Sequence, residues 1–206
     1  MKQKQLEMKL SGILGFEKPD VTKEQYKTPA PLAASLLHFA YMRGDLTGNV
    51  YDLGCGTGIL GIGAKLLGCT NAVGFDIDMS ALRTASKNAA SKKVNMDFVC
   101  CDIDNVKGCV NTVIMNPPFG AQKNQPQSDR RFLKKALEVA DVIYSIHNSS
   151  SYDFIQRFIS PAVITDCYET DMELKRTFKF HKKDISYTTV EIYRIKNVGK
   201  LSLNHH

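Results

Sequence analysis

An amide, two prolines and an aromatic ring in succession, Asn116-Pro117-Pro118-Phe119, close the apolar run Thr112-Val113-Ile114-Met115. The side-chain oxygen of Asn116 and the carbonyl of Pro117 can each accept a hydrogen bond from an amino group, and proline's fixed φ holds that carbonyl still. The ring of Phe119 can stack on a planar heterocycle. At the end of a buried strand, these residues describe a pocket for a flat molecule with an exocyclic NH2, such as adenine. An aromatic amine is a poor nucleophile because its lone pair is delocalised into the ring. Hydrogen bonds from its two N–H groups to Asn116 and Pro117 would pyramidalise the nitrogen and strengthen as positive charge develops on it. A sulfonium methyl group is a suitable electrophile. Its transfer needs no metal and no covalent intermediate, only an acceptor held in line at about 3 Å.

A second set of residues describes what would carry that methyl group. Tyr51-Asp52-Leu53-Gly54-Cys55-Gly56-Thr57-Gly58 follows an apolar strand and opens a helix. Glycines let the backbone turn tightly and approach a ligand where a Cβ would collide. The spacing is G-x-G-x-G rather than the G-x-G-x-x-G of dinucleotide folds, which disfavours NAD. Gly54, Gly56 and Gly58 resemble the first motif of Rossmann-like S-adenosylmethionine methyltransferases, where the turn wraps the methionine part of the cofactor. Gly74-Phe75-Asp76-Ile77-Asp78 ends the next strand. Asp76, nearer the strand end, suits a pair of ribose hydroxyls, and Asp78 suits the cap of the following helix. Cys101-Asp102-Ile103 ends a third strand. In the resembling enzymes an acid at that place meets the adenine amino group and an apolar neighbour packs on the ring.

The elements that must position these residues are legible as a βαβα rhythm. Strands are expected at Val50–Leu53, Ala72–Asp76, Asp97–Cys101, Thr112–Met115 and Val142–Ser145. Helices are expected at Ile59–Leu67, Ser80–Ala90, Asp129–Ala140 and Tyr152–Ile159. That alternation argues for a parallel sheet covered on both faces. Ala162–Tyr168 and Ile185–Ile195 read as two long strands of a terminal hairpin, one antiparallel to the rest. Upstream, Lys2 to Leu14 reads as a helix with Leu6, Leu10, Ile13 and Leu14 near one face. A second helix runs through Leu32, Leu36, Leu37 and Phe39, with Pro31 near its start.

The chain has 206 residues, of which 43% are hydrophobic and 23% charged, enough for one α/β domain with a sizeable core. The six cysteines form no C-x-x-C pair, so a zinc site is not expected. Scattered thiols without a secretion signal point to a reducing cytosol and a cytoplasmic protein. The formal net charge of +6 permits a nucleic-acid partner without demonstrating one.

Several further segments resemble one family, the methyltransferase-like protein 5 family. They are Gly15-Phe16-Glu17-Lys18-Pro19, Glu24-Gln25-Tyr26-Lys27-Thr28, Gly74-Phe75-Asp76-Ile77-Asp78, and Val113-Ile114-Met115 with Asn116-Pro117-Pro118-Phe119-Gly120. Tyr144-Ser145-Ile146-His147-Asn148-Ser149-Ser150 and Phe178-Lys179-Phe180-His181-Lys182-Lys183 belong with them. The resemblance implies one domain over residues 1–206. Residues 1–45 would be a helical segment that helps close the cofactor site, and 46–200 a Rossmann-like core. The core's seven-stranded sheet would be mostly parallel, with helices on both faces and an antiparallel C-terminal strand. It implies S-adenosylmethionine as cofactor, contacted by Gln25, Thr28, Asp52, Gly54, Gly56, Thr57, Ile59, Asp76, Ile77, Asp102, Ile103 and Asn116. Asn116, Pro117, Pro118 and Phe119 would be the reacting end. The implied substrate is an adenosine N6 amino group in small-subunit ribosomal RNA, and the implied partner is a small zinc-binding activator protein. Thr57 stands where some members carry cysteine.

Alternatives remain at this level. The Asn-Pro-Pro-Phe pattern has a close variant in enzymes that methylate a glutamine amide of termination factors, and a methyltransferase fold can serve as a non-catalytic RNA-binding module. Lys179, His181, Lys182 and Lys183, interleaved with Phe178 and Phe180, fit an RNA-contact hairpin: charge for phosphates and rings for stacking. Gln122 to Asp129 is expected as a mobile loop beside the pocket. His147 with Ser149 and Ser150 lacks a suitably spaced acid, and Asn148-Ser149-Ser150 reads as a helix cap. His205-His206 lies outside the resemblance.

Overall fold

A computed structural model describes residues 1–20, 25–118, 128–175 and 185–198. In chain order the elements are helices α1 (Gln3–Ser11) and α2 (Ala30–Met42), then β1 (Asn49–Leu53), α3 (Ile59–Leu67), β2 (Asn71–Asp76), α4 (Met79–Ser91) and β3 (Asp97–Cys100). A 3-10 turn (Ile103–Asn105) leads to β4 (Val110–Met115), α5 (Ser128–Val139), β5 (Ala140–Asn148), α6 (Tyr152–Phe158), β6 (Val163–Lys175) and β7 (Ile185–Lys196). Each expected strand and helix is present, with shifted ends. The first helix stops at Ser11 rather than Leu14, because Gly12 caps it, and Leu14 is exposed. Helix α5 begins at Ser128, one residue ahead of the expected start at Asp129. The cap of α6 is Ser151, one residue beyond the expected Asn148-Ser149-Ser150 cap; the Ser151 hydroxyl donates to the Asn148 carbonyl at 2.7 Å.

Among the described residues seven strands form one sheet in the order β3-β2-β1-β4-β5-β7-β6. The first five are mutually parallel. β7 enters antiparallel between β5 and β6. Crossover helices cover both faces, the arrangement that lets parallel strands be apolar on both sides. One face packs Ile114, Tyr144 and Ile192 against Leu6 and Leu10 of α1, Leu36 and Leu37 of α2, and Ile62 of α3. The other packs Leu53, Val113, Met115, Ile143 and Tyr193 against Leu133 of α5 and Ile155 of α6.

On the face that α1 and α2 cover, a buried charge network ties the chain just past α2 to the sheet. Arg194 of β7, with its side chain 8% exposed, places Nε 2.8 Å from Asp45 Oδ2. The Tyr144 hydroxyl donates to the same oxygen at 2.6 Å. Asp45 follows α2, so these bonds fix the helical segment to β5 and β7. Among the described residues no helix is long and apolar enough to cross a membrane.

Candidate active site

Register sets the site. Leu53 pairs with both Phe75 and Met115, and Asp76 pairs with Cys100, so β1 to β4 end level with one another. The residues just past these ends therefore share one rim, the carboxyl edge where open α/β sheets bind ligands. They enclose a cavity of about 260 Å³. Its wall includes Gln25, Thr28, Gly54, Gly56, Thr57, Ile59, Asp76, Ile77, Asp102, Ile103, Asn116 and Pro118.

The floor is backbone. Gly54 and Gly56 have φ of 68° and 52°, a left-handed conformation that side chains with a Cβ disfavour. A Cβ on Gly54 would lie 2.8 Å from Phe132 Cε1, and one on Gly56 would lie 2.9 Å from Phe16 Cζ. The turn is tied to the second strand at two points. Cys55 N donates to the Phe75 carbonyl at 2.9 Å, and Gly56 N donates to Asp76 Oδ2 at 2.8 Å. Asp76 accepts on its other oxygen from Asp78 N at 2.8 Å, so the plane of its carboxylate is held from both sides. Asp78 caps α4, accepting from Ser80 N at 2.8 Å.

Asp52 lies behind this wall. It is 1% exposed and accepts from Gly61 N, in the first turn of α3, at 2.8 Å. Gly58, the residue that caps α3, has no side chain, so Asp52 takes over one of the donors a helix start leaves open. Burial pushes its carboxyl up to about 7; the Gly61 amide works against that shift and the Asp76 charge adds to it.

The segment before α2 forms another wall of the cavity. Gln25 is almost fully buried, and both ends of its amide are used. Nε2 donates to Asp78 Oδ2 at 2.7 Å, and Oε1 accepts from Asp20 N at 2.8 Å. Gln25 thus straps the segment to the cap of α4 while forming part of the wall. Phe16, Tyr26 and Lys27 line the cavity beside it.

Asn116 closes the site from β4. Its Nδ2 donates to Thr28 Oγ1 at 3.0 Å. Its Oδ1 is buried with no hydrogen-bond partner, alone in this among the described side chains. Pro117 is buried and Pro118 is on the cavity wall. Phe119 lies outside the described residues, as do Lys179, Phe180, His181, Lys182 and Lys183.

Sequence reasoning missed several wall residues, chiefly Arg131 and Phe132 of α5. Arg131 Nη2 lies 2.7 Å from both Asp102 Oδ1 and Asp104 Oδ2. The guanidinium holds the Asp104 carboxyl below the usual carboxylate range. A basic pair ahead of an apolar helix face gave no local sign that it would reach the end of β3. Asp102 also accepts from Asp104 N at 2.9 Å, which shapes the 3-10 turn.

The nucleophilic side chains nearby are quiet. Burial first, then the charges of Asp52 and Asp76, push the Cys55 thiol well up. Burial, then neighbouring Cys100, Asp102 and Asp76, raise Cys101. His147 is 2% exposed, its Nε2 is 2.7 Å from Ser145 Oγ, and burial lowers it to about 4. Its partner is Ser145, not Ser149 or Ser150. A neutral, enclosed imidazole of this kind is a packing element. Among the described residues no group of His, Cys, Asp and Glu side chains could hold a metal ion.

The rim thus offers bare backbone for an extended polar chain, a doubly anchored acid for a diol, an acid beside isoleucines for a flat ring, and an unpaired amide oxygen. Comparison with known proteins bears on that set. The profile of the Methyltransferase small domain matches residues 33–141. The rRNA N(6)-adenosine-methyltransferase METTL5 of Danio rerio is 39% identical, over 89% of this chain and 93% of the relative. The Mettl5 enzyme of the same description from Drosophila melanogaster is 35% identical, over 95% of this chain and 97% of its own. The crystal structure of a candidate RNA methyltransferase from Pyrococcus horikoshii superposes with a TM-score of 0.88 at 38% identity, covering 95% of this chain and 98% of that one. On both the fold and the full-length likeness, the chain belongs to the methyltransferase-like protein 5 family of Rossmann-like, S-adenosylmethionine-dependent methyltransferases.

Proposed function

We propose that the chain transfers a methyl group from S-adenosylmethionine to the N6 amino group of an adenosine in RNA, with small-subunit ribosomal RNA as the substrate class. The observation that carries this reading is the buried, unpartnered Oδ1 of Asn116 at the cavity wall. A buried acceptor left unpaired costs about 1–3 kcal/mol. It is tolerated where a ligand's donor completes it, and an exocyclic amine is such a donor. Full-length likeness to enzymes described as rRNA N(6)-adenosine-methyltransferases supports the choice of amine.

The residues present fit the cofactor. Gly54 and Gly56 leave room for its amino-acid end, Asp76 suits the ribose hydroxyls, and Asp102 with Ile77 and Ile103 suits the adenine. When bound, S-adenosylmethionine supplies an electrophilic methyl group on a sulfonium. Asn116 Oδ1 and the Pro117 carbonyl accept the two N–H bonds of the target amine and turn its lone pair outward. Both bonds strengthen as the nitrogen becomes cationic, so they favour the transition state over the ground state. The extra proton is then lost from nitrogen to solvent, and no side chain of the site is required to hold it. Phe119 is assigned the stacking role on the target base. A stacked adenine cannot reach this wall, so the target must be single-stranded or turned out of its helix. Lys179, Phe180, His181, Lys182 and Lys183 are assigned to contact the RNA around it. A small zinc-binding activator is implied by the family resemblance alone, and rescue of activity on co-purification tests it.

The deciding experiment incubates the protein with isotopically labelled cofactor and ribosomal RNA, then identifies nucleosides by mass spectrometry. N6-methyladenosine carrying the label is the expected product. Label confined to a glutamine of a termination factor would replace this reading with the protein-methylating one. Absence of cofactor binding by calorimetry would leave only an RNA-binding module.

A further inference from the structure

To accept from the target amine, Asn116 must present its amide one way round. A side-chain amide has nearly the same shape either way round, but a half-turn about its last bond exchanges acceptor for donor. With Nδ2 facing the target, N–H would meet N–H and the amine would not be held. Building on the proposed role of Asn116, we infer that Thr28 is a positioning residue that sets the Asn116 amide the productive way round, and does so in response to the cofactor.

Thr28 Oγ1 takes the Nδ2 end of the amide at 3.0 Å and leaves Oδ1 directed away, buried and unpaired. A hydroxyl can donate as well as accept, so by itself Thr28 is compatible with either orientation. The choice is made when its own proton is committed elsewhere. Thr28 lines the same cavity as Gly54 and Asp76, so a cofactor oxygen held there would take the proton of its hydroxyl. Once its O–H donates to such an oxygen, only its lone pairs remain for Asn116. Nδ2 must then face Thr28, and Oδ1 must face the target.

The hydroxyl is held stiffly enough to do this. Thr28 is 8% exposed and β-branched, and it precedes Pro29, which restricts its backbone to extended conformations. The Pro29 carbonyl accepts the first bond of α2 from Ala33 N at 2.9 Å, and α2 is anchored by the buried Leu32, Leu36 and Leu37. Gln25 straps the other end of the segment to Asp78. Neither end of the short stretch carrying Thr28 is loose.

The test uses Thr28→Val, Thr28→Ser and Asn116→Asp in the full chain. A carboxylate accepts at both oxygens and has no wrong way round. In wild type, Thr28→Val should lower kcat at saturating cofactor and RNA by about tenfold to a hundredfold, while S-adenosylhomocysteine affinity by calorimetry weakens only about fivefold, the loss of one hydrogen bond. Thr28→Ser should restore kcat. In the Asn116→Asp background, Thr28→Val should have no further effect on kcat, a non-additivity that a merely structural role would not produce. An independent readout is the side-chain amide signal of Asn116 in a ¹⁵N spectrum, assigned by its loss in Asn116→Ala. It should shift on titration with S-adenosylhomocysteine in wild type and by a smaller amount in Thr28→Val, where only the direct effect of the ligand on the wall remains; shifts of equal size would count against the inference. Equal kcat losses in both backgrounds, or an Asn116 signal indifferent to the cofactor analogue, would overturn the inference. The amide signal needs neither RNA nor turnover. If it responds but no RNA is methylated, the proposed substrate fails while the coupling stands.

Discussion

Removing the Asn116 side chain should cripple methyl transfer without harming the fold, and both magnitudes follow from its two ends. Oδ1 would accept a hydrogen bond from a nitrogen that becomes cationic, and a bond to a charged group contributes about 1.5–3 kcal/mol. At about 1.4 kcal/mol per tenfold, Asn116→Ala should lower kcat by roughly 10- to 150-fold. In the free protein the same oxygen is buried without a partner, and deleting it relieves about 1–3 kcal/mol. The bond from Nδ2 to Thr28 is lost at the same time, which costs about 1 kcal/mol. The balance lies between neutral and about 2 kcal/mol of stabilisation, a Tm unchanged or raised by up to roughly 8 °C for a chain of this size. Single-turnover kinetics with ribosomal RNA and a thermal scan of the cofactor-free protein measure the two halves. Undiminished turnover, or a Tm lowered by more than roughly 5 °C, would show that Asn116 holds the fold rather than the reacting amine.

Three other outcomes are expected. Gly54→Ala should weaken S-adenosylhomocysteine binding by at least about tenfold in calorimetry, because the methyl would sit 2.8 Å from Phe132 Cε1 in a left-handed backbone that costs a side chain about 1–2 kcal/mol; unchanged affinity would mean that the turn does not approach the ligand. Asp52→Asn should flatten part of the pH dependence of stability: the carboxyl rises from 3.8 unfolded to about 7 folded, so its ionisation opposes folding increasingly from pH 4 to pH 7. At about 1.36 kcal/mol per unit the full difference is about 4 kcal/mol, and urea titrations at several pH values should show wild type losing stability over that window while the variant does not. Arg194→Ala should cost about 3–5 kcal/mol in urea unfolding, because it leaves Asp45 charged and nearly buried beside Tyr144; a loss under about 1 kcal/mol would show that the network is dispensable.

Most of the site was legible because it sits at strand ends, and strand ends are marked by a change of pattern. The apolar run to Met115 stops at Asn116, and the run to Phe75 stops at Asp76. Parallel register then brings those stops level without further information. Asp52 differs because its position is one residue inside the strand. Side-chain alternation turns it to the α3 side, where it serves the helix start instead of the cavity wall. Partners that depend on distant segments left no local trace. Gln25 meets Asp78 across 53 residues, and Arg131 reaches Asp102 across 29. Asn88 bonds both the N–H and the carbonyl of Leu14, which settles where the chain runs after the first helix; periodicity alone carried that helix too far.

The place of β7 has a consequence for biosynthesis. This strand is made after β6 yet lies between it and β5, and it contributes the fully buried Ile192, Tyr193 and Ile195. Until it emerges from the ribosome, β5 presents an unpaired hydrogen-bonding edge and β6 has no neighbour to join. The sheet therefore closes only after β7 is translated. A premature stop anywhere before Ile185 would remove an interior plank of the sheet rather than trim its border.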